Sequence, residues 1–377
     1  MKPILLAICL LWSLNSLAQN VYPEKVCDLP SELNETSGLV KIGPNKFVTH
    51  NDSGADPILY VFDSSGVIIR RIRISNASNI DWEDLCLDSK GNIWVGDFGN
   101  NANDRQNLKI YMISSPNTFT KDTVVASITS FTYSNQKAYP PAAALQNFDM
   151  EAFTWYNDTL YLFSKDRTNP FLGYTKCYKL PARAGSFTAT PIDSFYTGSG
   201  GFLTYSVTGA AIHPSSNQLF LMGYDKCWVF TGFSANKFFR GVKRTFLFPS
   251  LTQREAVCFE NGSKIWYTQE NSPLGSVGLY KMDIPPYSPT GEAERIKKHY
   301  KIFPIPAASK LIIEVSDEIA TPGMLMEVLS VEGKLVLSSE IEMSVKNEIS
   351  ISTLKPGKYF IRINGLSAGS FIKIAEQ

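Results

Sequence analysis

The stretch Asn79-Ile-Asp-Trp-Glu-Asp-Leu-Cys-Leu-Asp-Ser-Lys-Gly-Asn-Ile-Trp-Val-Gly-Asp-Phe-Gly-Asn-Asn-Ala-Asn-Asp-Arg105 sets one short apolar run, Glu83 to Asp88, against a second, Asn92 to Gly96, across a Ser-Lys-Gly-Asn turn. Two such runs around a turn predict a β-hairpin, here with acidic residues at its open end. Weaker copies recur. Ser37 to Ile42 and Lys46 to His50 flank Gly-Pro-Asn, and Glu151 to Tyr156 and Thr159 to Ser164 flank Asn-Asp. Val207 to His213 precedes Gln218 to Gly223, and Glu255 to Phe259 and Lys264 to Thr268 flank Asn-Gly-Ser.

Two further β-type runs follow each hairpin: Ile58 to Asp63 and Val67 to Ile74, Leu108 to Ile113 and Val124 to Tyr133, Tyr174 to Leu180 and Phe187 to Phe195, Cys227 to Phe230 and Phe238 to Phe248. After the last hairpin only Gly278 to Asp283 follows. Aligning Gly38-Leu39, Asp84-Leu85, Ala152-Phe153, Ala210-Ala211 and Ala256-Val257 gives a repeat of roughly 45 to 70 residues, the range of propeller blades. Helical periodicity is nearly absent. The expected fold is therefore an all-β propeller, because radial stacking of four-stranded sheets hides their edges and faces. The isolated run Val21 to Leu29 supplies the strand missing from the last unit, which predicts five blades. A sixth, degenerate blade in Ser134 to Asn147, and a sandwich, are the alternatives.

The chain has 377 residues, of which 44% are hydrophobic and 12% aromatic, the composition of a globular protein with ample core. A formal net charge of +1, with Lys and Arg spread along the sequence, argues against a nucleic-acid partner. Residues 1–18 read as a signal peptide: Lys2, the apolar run Ile4 to Trp12, then Ser16-Leu17-Ala18 as a cleavage site. That run is short of the ~20 residues a membrane-spanning helix needs, so no transmembrane segment is expected in the mature protein. Cys9 leaves with the signal. Cys27, Cys86, Cys177, Cys227 and Cys258 have no CxxC spacing, which excludes a zinc site of that type and predicts mostly buried thiols, with one disulfide left open. None of His50, His213 and His299 adjoins a nucleophile motif, which argues against a Ser-His-Asp enzyme.

Propeller residues 19–284 are followed by a linker over 285–300, beginning Pro-Pro-Tyr-Ser-Pro-Thr-Gly, and a compact β-module, 301–377, expected to be a small β-sandwich. The module carries Phe303-Pro304-Ile305-Pro306-Ala307, the turn Val331-Glu332-Gly333-Lys334, the block Leu354-Lys355-Pro356-Gly357-Lys358-Tyr359-Phe360-Ile361-Arg362-Ile363, and Lys373 near its end. On these motifs it resembles the C-terminal sorting domain of the type IX secretion system of Bacteroidetes, although Ile305 stands where that family usually has Asn. The resemblance implies crossing of the inner membrane by the signal peptide, then of the outer membrane through the type IX machinery, with attachment or release at the surface. A generic adhesive module is the alternative.

In a propeller, the loop entering each innermost strand and the loop leaving the second strand open on one face. Here the entering positions carry Glu35, Asp81, Glu83, Asp149, Glu151 and Glu255, and the leaving positions Asp52, Asp97, Asp166, Asp225 and Glu270. Converging carboxylates repel unless neutralised, and an all-oxygen set suits calcium; Asp81, Glu83, Asp97, Glu151 and Glu255 are the expected ligands. Asn51, Asn79, Asn100, Asn101, Asn147 and Asn271 supply amides of the kind that complete such a shell. Asp52, Trp82, Asn100, Asn101, Arg105, Arg167 and Arg254 are the candidate ligand-binding residues, the arginines for an anionic group. The layout resembles calcium-bearing propellers of the gluconolactonase-like and phytase-like families. The competing reading has these acids bonding turn N–H groups or pairing across blades. Trp94, Trp155, Trp228 and Trp266 sit in strand contexts that predict packing, whereas Trp82 is expected at the rim. The leading expectation is a secreted or surface propeller that binds a small-molecule or glycan ligand at an acidic rim with calcium. The alternatives are a calcium-dependent hydrolase of a lactone, ester or phosphate, and a structural or adhesive surface protein.

Overall fold

The computed structural model describes residues 18–118, 120–213, 215–285, 300–315, 324–331, 333–341, 346–363 and 366–375. Most of the expected signal peptide and of the expected linker lies outside them. Two compact units emerge, Asn20–Ser288 and a second that holds Pro289–Gln377.

The larger unit is a five-bladed propeller. Blade 1 runs Thr36–Gly43, Lys46–Asn51, Ile58–Phe62, Ile68–Ile74. Blade 2 runs Trp82–Leu87, Ile93–Asp97, Leu108–Ile113, Ser127–Tyr133. Blade 3 runs Asp149–Tyr156, Thr159–Lys165, Tyr174–Pro181, Gly185–Tyr196. Blade 4 runs Gly209–His213, Gln218–Met222, Lys226–Thr231, Val242–Leu247. Blade 5 takes Arg254–Asn261, Lys264–Gln269 and Gly278–Asp283, and is completed by Glu24–Asp28, antiparallel to its third strand with Cys27 opposite Leu279. The first strands of consecutive blades touch in ring order, and the fifth returns to the first.

Strand alternation explains the wedge between each pair of blades, since successive side chains face opposite neighbours. Leu85 enters the cluster shared with blade 1, and Cys86 the cluster shared with blade 3. Ala210 faces blade 3 while Ala211 faces blade 5. Leu39 meets Ala256 and Leu279 across the closure, so each of the five blade junctions has its own apolar core. Outer edges are partly covered. Thr129–Tyr133 of blade 2 pairs in parallel with Gly185–Ala189 of blade 3, and Thr123–Val124 pairs with Arg73–Ile74 of blade 1.

Several expectations need correction. Ser134–Asn147 holds a 3-10 turn, Ala143–Leu145, and no strand, so there is no sixth blade. The closing strand is shorter than Val21–Leu29, and the run from Phe238 begins as a 3-10 turn, Phe238–Arg240, before its strand. One helical turn, Phe202–Tyr205, lies in the loop before blade 4. Cys86, Cys177, Cys227 and Cys258 are buried free thiols, and Cys27 is free and half-buried.

The C-terminal unit is a two-sheet sandwich. Tyr300–Phe303, Lys310–Val315 and Lys346–Ser350 form one sheet; Leu335–Ile341, Met324–Leu329, Gly357–Ile363 and Leu366–Lys373 form the other. Leu311, Ile313, Met326, Val328, Ile361 and Phe371 fill the space between them. Among the described residues of the whole chain, no helix is long and apolar enough to cross a membrane.

Candidate functional site: acids around the propeller axis

The site is built by β-bulges. Pairing of the first two strands slips between Trp82 and Asp84 in blade 2, between Met150 and Ala152 in blade 3, and between Arg254 and Ala256 in blade 5. The extra residue is a glutamate each time: Glu83, Glu151 and Glu255. A bulge leaves one residue unpaired and re-aims its side chain. All three are almost fully buried, at 4%, 4% and 5% exposure. In blade 1 the slip falls at Ser37 and Gly38, and blade 4 pairs regularly.

These acids fall into two groups. In the first, each carboxylate has a basic or hydroxyl partner. Asp97 accepts a 2.8 Å bond from Arg105 Nη2 and another from the Asp81 amide. Asp149 accepts Arg167 Nε at 2.6 Å and the Asn100 amide at 2.6 Å. Glu151 lies between Arg167, 3.1 Å from one oxygen, and Lys165, 3.0 Å from the other. Burial would raise the Glu151 carboxyl, but Lys165 and Arg167 outweigh it and hold it below its usual range. Lys165 also donates to Tyr224 Oη at 3.1 Å, and that hydroxyl donates to Glu255 at 2.9 Å. A buried polar chain thus joins blades 3, 4 and 5.

The second group has no such match. Asp52, Asp81 and Glu83 each place an oxygen within 4.8 Å of the others, as do Glu83, Asp149 and Glu151. Asp52, Asp81 and Glu83 make no ion pair among the described residues. Burial, followed by Glu151 and Asp81, pushes Asp52 up to about 8. Burial pushes Asp81 up to about 6, against the pull of Arg105. Glu83 is raised well above the carboxylate range by burial and by Glu151. Glu270, accepting a bond from Gln253, is pushed up to about 10 by burial and by Glu255. Gly99 closes the near side: a Cβ there would lie 2.0 Å from Glu83 Oε1 and 2.5 Å from Asp81 Oδ2.

Other expected residues hold the loops. Asn79 donates to the Asn51 and Asp52 carbonyls at 3.0 and 2.8 Å and accepts the Trp82 amide. Asn100 and Arg105 tie the 97–105 loop to itself and to blade 3, with Arg105 Nη1 on the Gly99 carbonyl at 2.6 Å. Asn101 is exposed and bonds Arg167. Asp166 caps the Thr168, Gly173 and Tyr174 amides, a structural turn, and Glu35 is exposed. Trp82 corrects the rim expectation. It is fully buried, its ring 5.5 Å from His50 and its Nε1 on the Ser78 carbonyl, so it offers no stacking face to a ligand. Sequence reasoning missed Lys165, Tyr224, the loop clamp Asn103 and the axial Asp84. Asp84 is fully buried and bonds the Leu85 and Phe153 amides, stitching blade 2 to blade 3.

Residues 301–375 match the family described as the secretion system C-terminal sorting domain. The chain thus joins a β-propeller to a C-terminal sorting domain, a module that indicates secretion to the cell surface. No curated protein matches it in sequence. Among solved structures it is similar to PorZ, a surface component of the type-IX secretion system of Porphyromonas gingivalis, at 11% identity over 90% of this chain and 45% of that one, with a TM-score of 0.34. This chain therefore spans less than half of that relative's length. A putative gluconolactonase is 12% identical over 70% of this chain and 92% of its own, TM-score 0.39. The aldose sugar dehydrogenase of Streptomyces coelicolor is 10% identical over 69% and 96%, TM-score 0.39.

Proposed function

We propose that this exported propeller binds a polar, oxygen-bearing ligand through a calcium ion held at Asp52, Asp81 and Glu83. The observation that carries the reading is the imbalance within the axial acids: Asp97, Asp149 and Glu151 are matched by Arg105, Arg167 and Lys165, whereas these three converge without a cation. Taking charge out of water without compensation is costly, and a hard divalent ion is the group that offsets an all-carboxylate set. Asp52 and Asp81 are only half-buried, so solvent reaches this side of the cluster and an ion there keeps positions for a ligand's oxygens. Glu151 and Glu255, expected as ligands, take the role of anchoring Lys165 and Tyr224 beside it.

Calcium titrated calorimetrically into chelator-treated full-length protein tests this reading. Saturable uptake, with magnesium binding more weakly, is expected; no saturable uptake of either ion ends it.

The hydrolase reading draws on the same group. Asp81, half-buried and pushed up to about 6 chiefly by burial, is a raised acid that solvent reaches, which suits a general base. Calcium-dependent turnover of lactone, aryl-ester or phosphate-ester substrates, abolished in Asp81→Asn, would support it.

A further inference from the structure

Blade 5 carries a second polar feature that the axial acids do not use. Arg254 opens its inner strand, and its side chain is 2% exposed. Nη1 donates to the Ser250 carbonyl at 3.0 Å and to the Tyr224 carbonyl, while Nε is buried without a hydrogen-bond partner. Its guanidinium lies 4.1 Å from the centre of the Phe248 ring and 5.7 Å from that of Tyr267. No Asp or Glu pairs with it among the described residues. Its neighbour Glu255 is committed to Tyr224 at the axis.

Arg254 lines a cavity of about 360 Å³ between the loop that enters blade 5 and the loop that follows Gln269. That is the size of a small-molecule site. Its wall includes Ser250, Thr252, Gln269 and the parallel rings of Tyr267 and Tyr280, stacked 5.0 Å apart at 6°. The Thr252 hydroxyl is buried and likewise has no partner. Arg254 and Thr252, each holding a buried donor without a hydrogen-bond partner, therefore share the wall of one cavity.

We infer that this cavity binds a small organic anion, its oxyanion group seated on the Nε edge of Arg254 and on the Thr252 hydroxyl. An arginine is protonated at every physiological pH, and carbonyl dipoles with ring faces compensate a buried guanidinium without neutralising it. An oxyanion supplies the missing charge and accepts the two idle donors, and charge-assisted bonds of this kind are the strong ones. The half-buried Tyr280 ring, backed by the buried Tyr267, gives the organic body of the ligand an apolar surface. This site is independent of the calcium reading, because none of the proposed ion ligands lines the cavity.

The test uses the full chain in chelator, so that the calcium reading stands or falls separately. Glucuronate, inorganic sulfate and inorganic phosphate are titrated against a constant chloride background, with calorimetry and melting temperature as readouts. At least one is expected to bind saturably and raise the melting temperature, and comparison of the three identifies the carboxylate, sulfate or phosphate preference. Thr252→Val keeps the side-chain shape and removes one donor, so affinity should fall about tenfold. Arg254→Lys removes the fork and should lose binding; if that variant fails to fold, Thr252→Val decides. Absence of saturable binding of all three probes, or wild-type affinity in Thr252→Val, overturns the inference.

Discussion

The Lys165 ammonium lies 3.0 Å from Glu151 Oε2, with the two side chains 6% and 5% exposed. Removing one member of a buried pair leaves the other charge uncompensated, at a cost of about 3–5 kcal/mol. Lys165→Met should lower unfolding free energy toward the low end of that range, because Glu151 then keeps Arg167 as its one cation and the bond to Tyr224 is also lost. Denaturant unfolding measures this. A change below about 1 kcal/mol, the range of an exposed pair, would show that the pair is solvated.

Gly99 has the opposite signature. A methyl at this position meets the movable ends of Glu83 and Asp81 rather than backbone, so Gly99→Ala should fold with modest loss of stability. It should nonetheless displace both carboxylates and weaken calcium binding at least tenfold. Calcium titration beside a melting curve separates the two effects; intact affinity would remove Gly99 from the site.

Glu255 and Glu270 set a pH dependence. Burial pushes Glu255 up to about 7 and Glu270 up to about 10, so in this range the folded chain holds protons that the unfolded chain releases near its ordinary carboxylate pKa of about 4.3. Stability falls with rising pH wherever the native state binds more protons. In chelator, unfolding free energy should therefore decline from about pH 5 to pH 8. Glu255→Gln should flatten the lower part of that decline. Stability that rises across this window would contradict the burial of these acids.

Export gives a separate outcome. Deleting Lys301–Gln377 in the native host removes the sorting domain and leaves the expected signal peptide, so the propeller should accumulate in the periplasm. Cell fractionation reads the result, and undiminished display of the truncated chain at the surface would contradict the role of the module.

The propeller was legible because its determinants are local. Alternating apolar runs, Asn-Gly and Gly-Asn turns, and the unit left one strand short all appear in one sequence, and the closing strand lies where the missing edge required it. The acids were legible in kind, since Glu83, Glu151 and Glu255 each precede a small or acidic residue and then an apolar one. The bulges that turn them toward the axis were not, because a one-residue slip in pairing has no signature in alternation alone. Lys165 ends an apolar strand and reads as its solvated terminus, yet its partner Tyr224 lies 59 residues away on the next blade. Trp82 misled for a similar reason. Flanked by Asp81 and Glu83 it reads as a rim residue, but it packs inward against His50 and Tyr111.

The account rests most on an ion shared by Asp52, Asp81 and Glu83, and the melting temperature of the full chain with calcium and with chelator, in wild type and Glu83→Gln, tests it most directly. A ligand that binds the folded state alone raises stability with its concentration. The wild type should melt several degrees higher in calcium than in chelator. Glu83→Gln, which keeps the shape and removes one charge from a crowded set, should lose most of that calcium response and melt equally or slightly higher in chelator. A wild-type melting temperature indifferent to calcium, together with a Glu83→Gln chain that melts lower in chelator, would contradict the account and leave Glu83 a structural acid.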